Sequence, residues 1–289
     1  MEFFDKKVRD YISSNLDLDS NFKFEQFKVG RSNITFKIFD NSISYVLRRP
    51  PFGNKLESAH NMQREYKIIT ELSKNNLKVP KPILLCIDRS ISEDDFYIME
   101  YIEGETIADN LIAANYSVSQ KKEITESFVS TLAELHTFDV LESNLKDLGK
   151  HSDYVERQLN RWNKQFRAQK VREIDDLDQA TKLLLDSIPP QQRVSIVHGD
   201  YRLDNVRVNN NSVAAIVDWE LCTLGDPLTA LFIAVIASSE CACDVSKFII
   251  QSPICNNHSL FALLQLNFQD HCNLRKPHEY TQCLCLYKM

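Results

Sequence analysis

Long hydrophobic runs are missing from this sequence of 289 residues. The longest apolar stretch, Leu228 to Ala237, is shorter than the roughly 20 residues that a helix needs to cross a bilayer. It therefore predicts a buried helix. The N-terminus carries acidic residues early and has no apolar core of signal-peptide length. Both absences predict an intracellular protein, in the cytoplasm, with neither a secretory signal nor a transmembrane segment.

An excess of positive charge is also missing. The formal net charge is −6 at pH 7, whereas proteins that bind nucleic acid meet the phosphate backbone with basic surfaces. This charge argues against nucleic acid as the main partner and leaves room for a local basic site that binds a nucleotide. Internal repeats and low-complexity tracts are absent too. The length allows one large domain or two modest lobes with a buried core.

The cysteines lack the spacing of a metal site. Of the eight cysteines, six lie beyond residue 240, in C-x-C rather than C-x-x-C pairs, and no histidine lies at zinc-finger spacing. Without a secretory signal, a disulfide framework is not expected either. The pattern favours reduced, mostly buried thiols.

Strand and helix patterns divide the chain into two parts. Residues 22–47 alternate apolar and polar side chains, as strands do, and Pro50-Pro51 should end the last strand. Residues 58–73 then show helical periodicity, and two further strands lead to a hinge near residue 102. The remainder is mainly helical, with strands only around residues 194–217. We predict an N-terminal lobe over 1–102 and a C-terminal lobe over 103–289.

The strongest functional motif is HGDYRLDN, in which Asp200 precedes Asn205 by five residues. Asp218 follows Asn205 by thirteen residues, in IVDWE. Phosphoryl transfer needs a carboxylate that deprotonates the attacking hydroxyl and oxygen ligands for Mg²⁺. The protein-kinase loop H-R-D-x-x-x-x-N has the same Asp-to-Asn spacing. The pattern predicts Asp200 as the base, and Asn205 and Asp218 as the metal ligands.

A simpler interpretation is a polar turn between two strands, in which Asp200 and Asn205 cap backbone amides. A lone HGD would favour it. Asn205 and a strand-borne Asp218 are both in register with Asp200, and together they favour the catalytic hypothesis.

At this point the chain resembles the aminoglycoside phosphotransferase family of kinase-like enzymes. HGDYRLDN followed by VDWE carries the resemblance, which is closest to the branch associated with acyl-CoA dehydrogenases. Supporting stretches over roughly residues 15–230 are GRSNITF, YVLRRPP, FYIMEYIEGE, LAELHTFD and CTLGDPL. The resemblance implies a two-lobe α+β fold, with an antiparallel sheet plus a helix in the first lobe. It also implies an ATP- and magnesium-dependent transfer of the γ-phosphate to a hydroxyl of a small molecule.

The same resemblance implies the nucleotide-binding residues. The loop that contains Gly30, Ser32 and Asn33 would cover the phosphates. Arg48 would take the place of the kinase lysine, because an arginine also holds phosphate oxygens, and Glu65 would be its ion-pair partner.

Two alternatives stay open for this pair. Arg49 could replace Arg48, although strand alternation turns only one of the two towards the cleft. A surface arginine that simply pairs with a helix glutamate is the non-functional alternative. At the hinge, the backbone of Glu100 and Ile102 would meet adenine.

Two side chains near the motif keep more than one interpretation. Arg202 could touch the transferred phosphate or hold the loop that carries Asp200, and it is grouped with Asp200 as a catalytic candidate. His198 is expected to anchor that loop through hydrogen bonds to loop carbonyls. His136, on an apolar helix, is expected to be a satisfied core histidine.

The segment 230–289 has no recognisable counterpart in the family. It is either a divergent part of a helical lobe, which would then be incomplete, or a product of alternative splicing or of an imperfect gene model. It leaves the acceptor open, with a hydroxylated acyl-CoA or lipid-derived metabolite as the preferred guess. A catalytically impaired pseudokinase is the alternative function, whereas a two-metal phosphohydrolase would need a second ligand cluster. The sequence does not reveal the oligomeric state.

Overall fold

The computed structural model describes residues 2–27, 33–52, 61–169, 176–227 and 229. The chain forms two compact units. The first unit comprises residues 1–134, 143–145 and 203–222, and the second comprises 135–142, 146–202 and the described residues from Thr223 onward. This division follows the packing of the chain, and the lobe boundary near residue 102 stays a prediction.

The chain begins with a helix that the sequence analysis missed. Helix α1, Lys6–Asn15, is capped by Asp5, whose carboxylate accepts the Val8 amide at 2.9 Å. Only Val8 and Ile12 of this helix are buried, so its apolar stripe is too short to stand out. Phe3 and Phe4 precede it and join the same core cluster.

A five-stranded antiparallel sheet forms the centre of the first unit. The strand order is β1-β2-β3-β5-β4, and β3 ends at Arg49, directly before the two prolines, as predicted. Phe36, Leu47 and Ile98 are fully buried and belong to the same core cluster as Val8 and Ile12 of α1. The strands are β1 (Lys23–Gln26), β2 (Ile34–Phe39), β3 (Ser44–Arg49), β4 (Pro82–Cys86) and β5 (Phe96–Glu100).

Helix α2, Met62–Lys74, lies between β3 and β4 in the chain and confirms the predicted helical stretch. Asn61 caps it by accepting the Arg64 amide at 2.9 Å. Ile68, Ile69 and Leu72 are fully buried on its apolar stripe. Glu65 is buried on the same helix, and this burial makes it a candidate for function rather than for solubility.

Helices dominate the chain beyond the sheet, as predicted. The helices α4 and α5 match the predicted stripes, whereas α6 and strand β9 were not predicted. Strands β7 and β8 form the predicted hairpin, and β6 pairs with β9. These elements are α3 (Asn110–Ala113), α4 (Val118–Thr137), α5 (Tyr154–Gln169), α6 (Leu177–Asp186), β6 (Ser195–Val197), β7 (Val206–Asn209), β8 (Ser212–Ile216) and β9 (Thr223–Gly225).

Within the described ranges, no helix is long and apolar enough to span a bilayer. Cys86 and Cys222 are free and buried, as expected of reduced thiols. The other six cysteines, the segment 230–289 and most of the predicted helix Leu228–Ala237 lie outside the described residues.

Candidate active site

Strand β3 ends with two buried arginines that point in different directions. Arg48 Nε lies 2.9 Å from Glu65 Oε2 on α2. Arg49 instead pairs with Asp94 at 2.6 Å, and its guanidinium lies 4.4 Å from the ring centre of Phe3. The alternation of side chains along a strand explains this difference. The predicted ion pair is therefore present, and Arg48 rather than Arg49 forms it.

Glu65 is the most deeply buried carboxylate around Arg48, with a side chain that is 2% exposed. The Tyr97 hydroxyl donates to its Oε2 at 3.1 Å, and the Asn33 amide donates to its Oε1 at 2.9 Å. Burial raises the pKa of Glu65, while Arg48 and Tyr97 oppose that rise. These contacts hold the carboxylate in one orientation.

Two further carboxylates surround the same guanidinium. Arg48 Nη2 makes an ion pair with Asp218 and lies 3.4 Å from Glu220 Oε2. Burial lowers the pKa of Arg48, yet Glu65 and the other acidic neighbours outweigh it and raise the pKa above its usual value. Arg48 is therefore a permanent cation at the centre of a cluster, here called the Arg48 cluster, formed with Glu65, Asp218 and Glu220.

Sequence reasoning missed Glu220, although it stands in the VDWE motif. Besides Arg48, it contacts Asn33, whose side-chain amide donates to Glu220 Oε2 at 3.0 Å. Asn33 is buried, and its side-chain amide donates to both Glu65 and Glu220. The only signal available in the sequence was the position of Glu220, two residues after a candidate metal ligand.

The backbone around Asp218 is in a left-handed conformation, with φ +67° and ψ +64°. Asp is one of the few residues besides glycine that adopt this region with some frequency. Its side chain is 32% exposed, against 9% for Arg48. Asp218 is thus a carboxylate that contacts a buried cation on one side and remains open to solvent.

Asn205 ends a short 3₁₀ turn, Leu203–Asn205, directly before β7. The backbone carbonyl oxygen of Asn205 accepts the Val217 amide at 2.9 Å. This hydrogen bond places the backbone of Asn205 next to the residue that directly precedes Asp218. An amide oxygen and a carboxylate are hard ligands that fit Mg²⁺. Among the described residues, no three His, Cys, Asp or Glu side chains gather as a metal cluster. That their oxygens meet at one point stays a prediction.

The HGD segment lies in the second unit and follows strand β6 directly. His198 is fully buried, and its Nδ1 accepts the backbone amide of Asp200 at 3.3 Å. His198 thus contacts the loop that carries Asp200, but at this nitrogen it accepts a backbone amide, whereas a hydrogen bond to loop carbonyls was expected. Gly199 has φ +85°, which lets the chain turn sharply here. Arg202 Nε lies 3.8 Å from Asp200 Oδ2.

The predicted hinge follows β5. Glu100 is the last residue of β5, and its amide donates to the Lys81 carbonyl at 2.8 Å. Ile102 is half-buried, and its predicted role stays a prediction. Gly30 and Ser32 lie outside the described residues.

Two residues after Ile102, Gly104 has φ +133° and touches strand β7. A Cβ on this residue would lie 2.4 Å from the Val208 carbonyl oxygen. Arg207 donates to the Gly104 carbonyl, and Glu105 exchanges two backbone hydrogen bonds of 2.8 Å with Val208. The hairpin that follows Asn205 is thereby fixed to the segment Gly104-Glu105.

His136 is buried at the end of α4, as expected, but it is not fully satisfied. Its Nε2 has no hydrogen-bond partner among the described residues. Burial, with a contribution from Arg193, lowers the pKa of His136 to about 4. The ring is therefore neutral, and we assign it no part in the chemistry.

The sequence of this chain is similar to those of known proteins. A family model described as "Phosphotransferase enzyme family" matches residues 23–242. Acyl-CoA dehydrogenase family member 11 of Homo sapiens is 33% identical over 238 residues, which cover 80% of this chain and 30% of that protein. Family member 10 of Mus musculus is 37% identical over 204 residues, 70% of this chain and 19% of that protein. The chain thus spans less than a third of these relatives.

Solved structures share the fold. A candidate aminoglycoside phosphotransferase of Ralstonia eutropha superposes with a TM-score of 0.69 at 30% identity, over 85% of this chain and 79% of its own. ADP-bound aminoglycoside phosphotransferase APH(2'')-Ib gives a TM-score of 0.63 at 16% identity, over 98% and 96%. These likenesses show the kinase-like α+β fold that the sequence implied.

Proposed function

This chain belongs to the phosphotransferase enzyme family, and we propose that it transfers the γ-phosphate of ATP to a hydroxyl of a small molecule. The observation that carries the proposal is the Arg48 cluster. A buried arginine meets a helix glutamate and a carboxylate that is open to solvent. This pairing of a phosphate-binding cation with a metal-binding anion is what phosphoryl transfer requires.

In this proposal Arg48 holds the phosphates, and Glu65 fixes the guanidinium in place. Gly30, Ser32 and Asn33 would cover the phosphates. The hinge backbone at Glu100 and Ile102 would receive the adenine.

Asn205 and Asp218 would hold Mg²⁺, which neutralises the charge that develops on the phosphate oxygens. Asp200, five residues before Asn205, would accept the proton of the acceptor hydroxyl. His198 supports this role by fixing the Asp200 amide. Arg202, near the Asp200 carboxylate, would steady that side chain or contact the phosphate.

For the acceptor we propose a hydroxylated acyl-CoA or lipid-derived metabolite. The support comes from the relatives, which are acyl-CoA dehydrogenase family members. A phosphotransferase region within such a protein would most simply act on a molecule that the dehydrogenase region also handles. The related structures include a complex of APH(4)-Ia with AMP-PNP and hygromycin B, which is a different class of acceptor.

One observation favours a second function, that of a pseudokinase that binds nucleotide without turnover. Arg48 is bonded directly to Asp218. The proposed phosphate-binding cation and metal-binding anion therefore neutralise each other, and a nucleotide must separate them before any transfer.

Calorimetric titration of the purified chain with Mg²⁺ and ATP tests the nucleotide site. Incubation with hydroxylated acyl-CoA compounds and ATP, followed by mass spectrometry, tests the transfer through the mass of one phosphate added. Binding with transfer supports the enzyme, and binding without transfer to any hydroxyl compound supports the pseudokinase. The absence of binding contradicts both.

A further inference from the structure

Tyr97 lies opposite Arg48 in the sheet, on the face that is turned to Glu65. Strands β3 and β5 are antiparallel neighbours, and Arg48 pairs with Tyr97 in their register. Residues directly opposite each other in such a pair project from the same face. Both side chains accordingly reach one oxygen of Glu65. Arg48 Nε lies 2.9 Å from Oε2, and the Tyr97 hydroxyl lies 3.1 Å from it.

The Tyr97 side chain is fixed in the interior of the first unit. It is buried, and its ring packs edge-on against Tyr66 of α2, with the two ring centres 6.1 Å apart. Burial, together with the nearby Glu65 carboxylate, raises the pKa of Tyr97 well above its usual value. The hydroxyl therefore keeps its proton, and it donates that proton to the carboxylate.

Among the described residues, Glu65 has three side-chain donors, and two of them belong to the proposed nucleotide site. Arg48 contacts Asp218 through Nη2, the nitrogen that would turn to the phosphates. Asn33 donates to Glu65 Oε1 at 2.9 Å, and it is one of the residues that would cover the phosphates. Tyr97 has no proposed contact with the nucleotide. It is thus the donor that can stay in place while the other two change partners.

We propose that Tyr97 is a positioning residue for nucleotide binding, because its hydroxyl keeps Glu65 directed at Arg48 while Arg48 exchanges Asp218 for phosphate oxygens. This inference rests on the proposed function, in which Arg48 holds the phosphates of ATP. A binding side chain keeps its geometry only when further hydrogen bonds support it. Tyr97 gives that support through Glu65 and contacts no reacting atom itself.

The first test removes only the hydroxyl. Tyr97→Phe keeps the buried ring and takes one donor away from Glu65 Oε2. Calorimetry measures the Kd of ATP in excess Mg²⁺ for the full chain and for the variant, under conditions in which urea unfolding shows both to be folded. We expect Tyr97→Phe to weaken this Kd about tenfold, because Glu65 then holds Arg48 less firmly.

Tyr66→Phe is the matched control, since it also removes one tyrosine hydroxyl. Tyr66 directly follows Glu65 on α2 and packs against the Tyr97 ring. It is half-buried, and burial rather than a neighbouring carboxylate raises the pKa of Tyr66. We expect Tyr66→Phe to leave the Kd of ATP unchanged.

A double-variant cycle shows whether Tyr97 acts through Glu65. Glu65→Gln keeps the shape of the side chain but cannot form an ion pair, so its orientation no longer holds Arg48. Adding Tyr97→Phe to Glu65→Gln should weaken ATP binding by no more than about twofold, against about tenfold in the parent. A merely structural role of Tyr97 predicts the same factor in both backgrounds.

Glu65→Asp covers the case in which Tyr97→Phe fails to fold. Aspartate keeps the charge but is one methylene shorter, so its carboxylate moves away from both Tyr97 and Arg48. We expect ATP binding to weaken at least about tenfold. Affinity equal to that of the parent would show that the position of the carboxylate has no effect on the nucleotide, and it would overturn the inference.

The outcomes separate this inference from the proposed function. A parent that binds ATP with Mg²⁺ and an unchanged Kd in Tyr97→Phe overturn the inference and leave the proposed function standing. Equal weakening by Tyr97→Phe in the parent and in Glu65→Gln does the same. If the parent fails to bind ATP with Mg²⁺, the proposed function falls and this inference falls with it.

Discussion

Replacing Arg48 with methionine should cost stability and nucleotide binding together. The substitution leaves Glu65 without its cation, and a side chain that is 2% exposed cannot recover its solvation from water. Breaking a buried ion pair in this way costs about 3–5 kcal/mol. Asp218 and Glu220 add little to this cost, because they are 32% and 17% exposed and can be hydrated.

The neighbouring arginine supplies the control. Arg49→Met removes the same charge from the same strand, but on the face that carries Asp94 and Phe3. We expect Arg49→Met to lower stability while leaving the Kd of ATP with Mg²⁺ within about threefold of the parent. Arg48→Met should weaken that Kd at least about tenfold, as loss of a charged hydrogen bond to phosphate implies.

A double variant separates stability from binding. Adding Glu65→Leu to Arg48→Met removes the orphaned charge, and replacing a buried pair by apolar side chains is often nearly neutral. Urea unfolding should then recover most of the lost free energy, whereas ATP binding should stay weak. Equal weakening of ATP binding by Arg48→Met and Arg49→Met would refute the assignment of Arg48 as the phosphate-binding residue.

Three further predictions concern the proposed base Asp200, the close contact of Gly104 with β7, and the buried His136. Asp200→Asn should lower phosphate transfer by about 10²–10⁴-fold with little change in ATP affinity, whereas Asp218→Asn should lower both; unchanged transfer in Asp200→Asn contradicts the mechanism. Gly104→Ala should lower the free energy of unfolding by at least about 2 kcal/mol, because its Cβ would meet the Val208 oxygen at 2.4 Å with φ +133°; near-parent stability in urea contradicts this. The pKa of His136 is about 4, below its usual 6.5, so the unfolded chain binds more protons between these values. Stability should therefore fall by up to about 3 kcal/mol as pH drops from 6.5 to 4, and His136→Leu should flatten that part of the profile.

The end of β3 could be predicted because local rules decide it, whereas the choice of Arg48 over Arg49 came from the family resemblance and was settled by the structure. Two prolines fix the end of β3, and alternation then turns Arg48 and Arg49 to opposite faces. The hairpin around Asn210 was predictable for a similar reason, since asparagine tolerates the positive φ of 49° found there.

What could not be predicted depends on contacts between distant parts of the chain. Asn33 and Glu220 are 187 residues apart, and no spacing rule links a phosphate loop to the second residue after a metal ligand. Helix α1 escaped prediction because Val8 and Ile12 are its only buried residues. The core cluster that holds them also contains Phe3 and Phe4, which lie outside the helix. Tertiary packing, rather than periodicity, decides such elements.

The geometry of the Arg48 cluster also explains why arginine suits this position. Its Nε contacts Glu65, while its Nη2 contacts Asp218 and Glu220. One planar guanidinium therefore binds three carboxylates through two different nitrogens. A lysine has a single ammonium group and cannot form this fork. In a lysine variant, Glu65 would therefore compete with Asp218 for the single ammonium group. With arginine, the contact to Glu65 can persist while Nη2 exchanges a carboxylate for phosphate oxygens. Arg48→Lys should accordingly weaken ATP binding although the charge is kept, and unchanged affinity would show that charge alone matters here.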